Sequence, residues 1–530
     1  MYLFPKQTSF KSRFKPYKIW FGKLAGQEIE KPTFNVKGTS KKLKNFIIIF
    51  VLLCSPSYAS PVFKDFSNNL PHHIYSGEWN HFVGGGVAVM DCNGDSLPDF
   101  FAAGGTEPAA LFTNTGEFNF IKSNIPDLFD TTGAYPIDIN ADGHIDLFVL
   151  RIGPNVVLKG NANCEFVDAT NEFQIPNTSQ WSTAFSAWWS DDKLPHMVIG
   201  NYVDLGDPDG PFFACDSNQV LEPTGDGYIT QKLEPGFCAL SMLAARDASG
   251  IMRLRISNDR QYYVRNGYEQ MWDIAEERFL TEIDGWKKVS IWGMGIASRD
   301  ITGDGRDEVF LTSMGDQLLQ IAQEDGTYTA APFEIGTYAH RPYFGDDGRP
   351  STGWHAQFGD VNNDGRSDLF ISKGNVDQMP SNAIYDPNNL LIQKSDGTFV
   401  EVGLLAGIAS KERSRGAALA DFDLDGRLDI LVLNRRAPLQ IYRNETVKVG
   451  HWLKVKLTQV GGNFDAVGAL VKVGEDVQQI TIGGGHAGGQ SLPLHFGLGS
   501  STAVNITVTW PDGAVSTHNA NADQTVKLHR

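Results

Sequence analysis

The sequence predicts an all-β fold: a seven-bladed β-propeller followed by a small β-rich, sandwich-like C-terminal domain. Three observations predict it. A nine-residue acidic pattern occurs five times, a short apolar strand follows each copy, and the copies recur at a spacing that suits one propeller blade. The 530 residues are 41% hydrophobic, ample for a sizeable core, and 55 glycines fit short strands joined by turns.

Oxygen-bearing side chains fall at positions 1, 3, 5 and 9 of each copy. They are Asp91, Asn93, Asp95 and Asp99; Asp138, Asn140, Asp142 and Asp146; Asp300, Thr302, Asp304 and Glu308; Asp360, Asn362, Asp364 and Asp368; and Asp421, Asp423, Asp425 and Asp429. Three or more carboxylates in one tight loop repel one another unless a cation sits between them. A hard divalent ion that takes six to eight oxygens meets that need, and calcium is the usual one. All twenty residues are therefore candidate Ca²⁺ ligands, in four or five sites. The alternative is an Asx-rich turn without metal.

The loop is not an EF-hand, which needs a bidentate Glu at position 12 and a helix on each side. Position 12 is Ala102, Val149, Leu311, Ile371 or Val432. The runs that follow, such as Leu369-Phe-Ile-Ser and Ile430-Leu-Val-Leu, are β-branched and aromatic, so a strand leaves each loop. Each acidic loop is then the tip of a β-hairpin. Gly at position 6 supplies the turn in four copies, and Ser96 in the first predicts a strained one.

Starts at 91, 138, 300, 360 and 421 leave a gap wide enough for two worn copies. These begin at Trp188 and Ala245, with His196 and Arg253 at position 9, and they read as blades without calcium. Seven units of about four strands each close a ring with no long exposed edge.

The loops resemble the FG-GAP/VCBS repeats of integrin-α-type propellers. The tail from about 447 is similar to the ASPIC/UnbV domain through Leu494-His-Phe-Gly-Leu-Gly499 and Thr509-Trp-Pro-Asp-Gly513. The pairing resembles the cartilage acidic protein-like family, which implies extracellular calcium-binding propellers with adhesion or scaffold roles. The expected domains are 1–59, an N-terminal extension and signal peptide; 60–446, the propeller; and 447–530, the ASPIC/UnbV-like domain.

Residues 1–44 hold eleven Lys or Arg against two Glu, and nine apolar residues follow at 46–54. That order predicts secretion to the periplasm, cell surface or medium with cleavage near Ala59, and the run is too short to span a bilayer. A lipid anchor at Cys54 is the rival. The formal charge of −17 becomes more negative once the basic leader is removed, which excludes nucleic acid held through phosphates. Four cysteines remain; Cys215 and Cys238 bracket one insertion and are the expected disulfide, and Cys92 with Cys164 is the remaining pair.

No Gly-x-Ser-x-Gly or His-Glu-x-x-His motif occurs, and no catalytic residue is assigned. The glycine-rich stretch at 483–489 lacks a Lys-Ser/Thr ending and reads as a turn rather than a phosphate cradle. Trp292, Trp354, His355, Arg413 and Arg415 precede intact loops, where they either pack between blades or ring the channel mouth. The leading expectation is a secreted, calcium-stabilised scaffold for an unknown protein or glycan. The alternative is an extracellular enzyme or carbohydrate-binding protein using the channel mouth near His355 and Arg415.

Overall fold

The computed structural model describes residues 60–530 except 177, 191–192, 209, 211–212, 226, 260–266, 339–351 and 377–384. The expected leader, its cleavage at Ala59 and the alternative anchor at Cys54 lie outside the described residues.

Seven four-stranded antiparallel sheets follow one another along the chain. The first is Val87–Met90, Asp99–Ala102, Ala110–Asn114 and Phe120–Ser123. The next five begin at Thr131, Ser179, Ala239, Gly293 and Gly353. The seventh supplies Arg413–Ala420, Asp429–Arg435 and Gln440–Asn444 and takes its outer strand, Phe63–Asp65, from the N-terminal side. One blade thus joins both ends of the propeller and closes the ring. Inner strands of successive blades pack side by side around the circle, and Gly416 donates to the Gly85 carbonyl at 2.9 Å across the closure.

Alternation explains the packing. Val87 and Val89 face blade seven, whereas Ala88 and Met90 face blade two. Both faces of each blade are buried, so strands carry apolar residues at odd and even positions alike. Seven separate apolar clusters result, one between each pair of neighbouring blades. Hydroxyl groups add a second linkage: Thr132 donates to Ser182 O at 2.6 Å, Thr183 to Ala239 O at 2.7 Å and Thr312 to Trp354 O at 2.6 Å, each from one blade to the next.

Both cysteine pairs form disulfides, Cys92–Cys164 between blades one and two and Cys215–Cys238; the stretch the latter brackets is not an insertion but the outer two strands of blade three, Asn218–Thr224 and Gly227–Leu233. From His451 onward, a three-stranded and a four-stranded sheet share one apolar core that includes Leu453, Val471, Phe496 and Trp510. No helix among the described residues is long and apolar enough to cross a membrane.

The worn copies correct two expectations. In intact blades the residue before position 1 pairs with position 9, leaving eight residues in the tip (Met90 with Asp99, Gly359 with Asp368). In blade three Trp188 itself pairs with His196, and in blade four Arg246 pairs with Met252. These tips are shorter, and the first tip residue of blade four is Asp247, not Ala245. Arg253 reaches Asp247 at 2.8 Å and Asp273 at 3.3 Å, so a guanidinium balances the acids there. In blade three the His196 ring stacks on Trp188 at 5.4 Å.

The stretch at 483–489 is not a turn between two strands. It enters the ring and bridges the inner strands: Ile482 to Ala187, Gly483 to Leu243, Gly485 to Ile296 and Gly488 to Ala134, with Gln490–Ser491 running parallel to blade one. A Cβ on Gly86 or Gly133 would lie 1.8 or 1.6 Å from the Ala487 carbonyl oxygen, so only glycine admits the segment. The opposite end is filled by Phe82, Val83, Trp181, Tyr202 and Trp354.

The fit generates a test. Gly133→Ala forces the inserted segment outward and lowers unfolding free energy by about 1–3 kcal/mol, the usual cost of overpacking. Urea denaturation measures it, and unchanged stability contradicts tight insertion.

Candidate metal centres

Each intact tip folds around its own acids. The position-1 carboxylate accepts the amide of residue 6: Ser96, Gly143, Gly305, Gly365 or Gly426, at 2.6–3.0 Å. The position-5 carboxylate accepts the amide of residue 7, from Leu97 in the first tip to Arg427 in the last. Such self-capping is what Asp and Asn do in turns. Ser96 adopts φ +75°, the strained left-handed turn its position predicted.

Position 9 has a further role. Asp99, Asp146, Glu308, Asp368 and Asp429 are all buried. One oxygen of each accepts the amide of residue 2: Cys92, Ile139, Ile301, Val361 or Phe422, at 2.8–3.1 Å. The other oxygen of Asp99, Asp146, Asp368 and Asp429 accepts an amide at the far end of the third strand: Asn114, Gly160, Gln393 or Asn444. This side chain ties hairpin tip to third strand.

Burial sets the electrostatics. It pushes the Asp99, Asp146 and Glu308 carboxyls up to about 7, and Asp138 and Asp425 up to about 6, with neighbouring carboxylates adding to the rise. Asp368 and Asp429 lie well above the usual range for the same reasons. Asp360 is raised by burial and by Asp364. A group that prefers a proton when alone is one that a nearby cation would return to its charged form.

The donor set fits a hard divalent ion. In the seventh tip, oxygens of Asp421, Asp423 and Asp429 all lie within 4.8 Å of one another, and Asp423 Oδ1 is shielded from solvent with no hydrogen-bond donor. Not all charge is left for a metal. Arg306, Arg366 and Arg427 each pair with the position-5 Asp of their own tip, Arg443 pairs with Asp423 at 2.7 Å, and the tail's Lys454 pairs with Asp421 at 2.6 Å. Thr302, Asp304, Asp95 and Asp142 are exposed, whereas the sixth and seventh tips are largely covered. Cys92, Asp99 and Cys164 also converge, but the two sulfurs are joined as a disulfide.

Three of the five residues expected near the channel mouth, Trp354, His355 and Arg415, are buried packing groups, whereas Trp292 and Arg413 are half-buried. Trp354 and Arg415 are fully buried, with the guanidinium 4.0 Å from the Trp354 ring centre, and His355 Nδ1 accepts the His486 amide at 3.1 Å. Sequence reasoning missed a second polar set at the opposite blade end. There Asn155, Asn218, Glu269, Gln317 and Asn388 each accept an amide from the second strand of their own blade. Their variable identity conceals the shared position.

A family model described as FG-GAP-like repeat matches residues 91–149, 300–371 and 360–432, and one described as ASPIC and UnbV matches 459–530. The chain carries FG-GAP-like repeats followed by an ASPIC and UnbV domain. The matches cover the five acidic tips and pass over the two worn blades. Among curated relatives, cartilage acidic protein 1 of Xenopus tropicalis is 34% identical over 20% of this chain and 17% of its own length. The Homo sapiens protein of the same name is 27% identical over 30% of this chain and 25% of its own. The similarity thus spans a quarter or less of those relatives. Among solved structures, BBS1N in complex with ARL6DN has a TM-score of 0.44 at 11% identity, covering 72% of this chain and 97% of that one. The Dos1 propeller has a TM-score of 0.35 at 10% identity, covering 72% and 96%. Scores this low carry no inference about function.

The raised carboxyls make metal-free stability depend on pH. With folded values above unfolded ones, the native state holds more protons, so stability falls as pH rises through about 7. Buried His355, pushed down to about 4, opposes this only below about pH 6.5, where the unfolded histidine begins to charge. In chelator the melting temperature is expected to rise from pH 8 to pH 6.5, and saturating Ca²⁺ flattens the trend. A flat profile without metal contradicts the assignment.

Proposed function

We propose that the chain is an extracellular binding or adhesion scaffold whose FG-GAP-like tips hold structural Ca²⁺. The observation that carries this reading is the repeated crowding of three or four carboxylates at each of five tips, where Asp423 offers a shielded oxygen without a donor. The holding groups would be the side chains at positions 1, 3, 5 and 9. The ion would neutralise the tip and leave the position-9 carboxylate charged while it ties hairpin to third strand. Extracellular calcium modules bind as weakly as about 10⁻⁴–10⁻³ M, which suits sites whose role is architectural.

Two disulfides support an oxidising compartment. Relatives named for cartilage agree with that setting. Burial of His355 and Arg415, which meet the His486 amide and the Phe82 carbonyl, supports a scaffold over an enzyme centred on these two residues. A scaffold would present its variable outer loops to a protein or glycan partner.

Metal analysis and melting curves test the proposal together. Purified protein is expected to carry four or five Ca²⁺, to melt lower in EDTA and to recover when Ca²⁺ is restored. Asp425→Asn is expected to remove one ion and to lower the melting temperature. A melting curve indifferent to EDTA, or two ions or fewer, contradicts the reading.

A further inference from the structure

The tail domain sits on the propeller face that bears the acidic tips, and its contacts concentrate on two of them. In the sixth tip, the Asn362 carbonyl accepts the Gly450 amide at 3.0 Å and the Asn363 carbonyl accepts the Gly499 amide at 2.9 Å. The Asn363 side chain lies between two partners: Oδ1 is 2.8 Å from His495 Nε2, and Nδ2 donates to the Gly426 carbonyl of the seventh tip at 2.9 Å. Asn363 adopts φ +56°, the left-handed conformation that residue 4 of every intact tip shares (Gly94, Ala141, Gly303 and Leu424), so the tail reads the common closed form of the tip. A Cβ on Gly497 would lie 1.8 Å from Asp360 Oδ2, so only glycine lets the tail strand approach the sixth tip this closely.

Four tail contacts thus read the backbone and side chains of residues that are candidate ligands or their immediate neighbours. Asp360, Asp364 and Asp368 crowd that tip, and Arg366 balances only Asp364 by a direct ion pair. Without a cation the three acids are left to repel one another or to take up protons, and loss of the closed tip moves Asn362 and Asn363 out of register with the tail. The seventh tip is served differently, because Lys454 of the tail, itself buried, binds Asp421 Oδ2 at 2.6 Å.

We propose that divalent-cation occupancy of the sixth tip locks the tail domain onto the propeller, while at the seventh tip Lys454 adds a direct ion pair from the tail. The proposal rests on the calcium reading above and adds a consequence: tail docking and metal binding are reciprocally coupled. The fifth tip is the internal control: nothing lies within 4 Å of a Cβ placed on Gly303 or Gly305, and the tail meets that blade below the tip, where Asp476 pairs with Arg299 at 3.1 Å.

Hydrogen exchange on the full chain tests this at strands His451–Thr458 and Leu494–Gly499. In Ca²⁺ both segments are expected to be protected. EDTA, or Asp364→Asn in the presence of Ca²⁺, speeds their exchange about ten-fold, within the usual range of coupling between sites. Asp304→Asn loses one ion and leaves both segments protected. If Asp364→Asn does not fold, the wild-type comparison with and without EDTA decides. Metal analysis that finds bound Ca²⁺, with exchange at both segments unchanged by EDTA, overturns the coupling and leaves the calcium reading standing. No bound Ca²⁺ at all overturns both.

Discussion

One buried carboxylate per intact blade holds this architecture in order. At position 9 it accepts an amide from the hairpin tip with one oxygen and, in four blades, an amide from the end of the third strand with the other. Three strands are thereby fixed at a single point, and the strand order of the blade follows. The cost is an acid removed from water beside two or three more acids. An uncompensated buried charge is among the most expensive features a fold can carry, so the tip must recover it through a cation or a proton.

The two worn blades show what happens when the device is absent. Blade four shortens its tip and sets Arg253 between Asp247 and Asp273, so protein supplies both signs of charge. Blade three replaces the acid with a ring stack between His196 and Trp188. Both keep four strands and the apolar clusters on either side, because blade packing depends on alternating side chains rather than on the tip. The tips therefore tune a ring that apolar burial builds.

Much of this was legible in the sequence because it is local. The acidic spacing 1, 3, 5 and 9 lies within nine residues, and the strand after each tip announces itself by β-branched and aromatic composition. The worn tips were misaligned for the opposite reason. With the acidic pattern absent, nothing local marks Asp247 rather than Ala245 as the first tip residue, and the shorter tips leave no trace in the spacing. The closing strand Phe63–Asp65 is three residues long and pairs with residues near 443, so no local pattern points to it. The inserted stretch at 483–489 is the clearest miss. A glycine run with positive φ at Gly483, Gly484 and Gly485 has the composition of a turn, and only its bridges to distant blades give it another role.

The inserted stretch and the tail contacts make the C-terminal domain part of the propeller rather than an appendage. One end of the ring's axis is occupied by tail residues and the other by aromatic side chains. On the proposed reading the five acidic tips hold cations and the two worn tips do not. Crystals grown with Ca²⁺ and measured for anomalous scattering test it most directly. Difference peaks are expected beside Asp91, Asp138, Asp300, Asp360 and Asp421, with none beside Trp188 or Asp247. Empty density at the acidic tips in saturating Ca²⁺ would contradict the account.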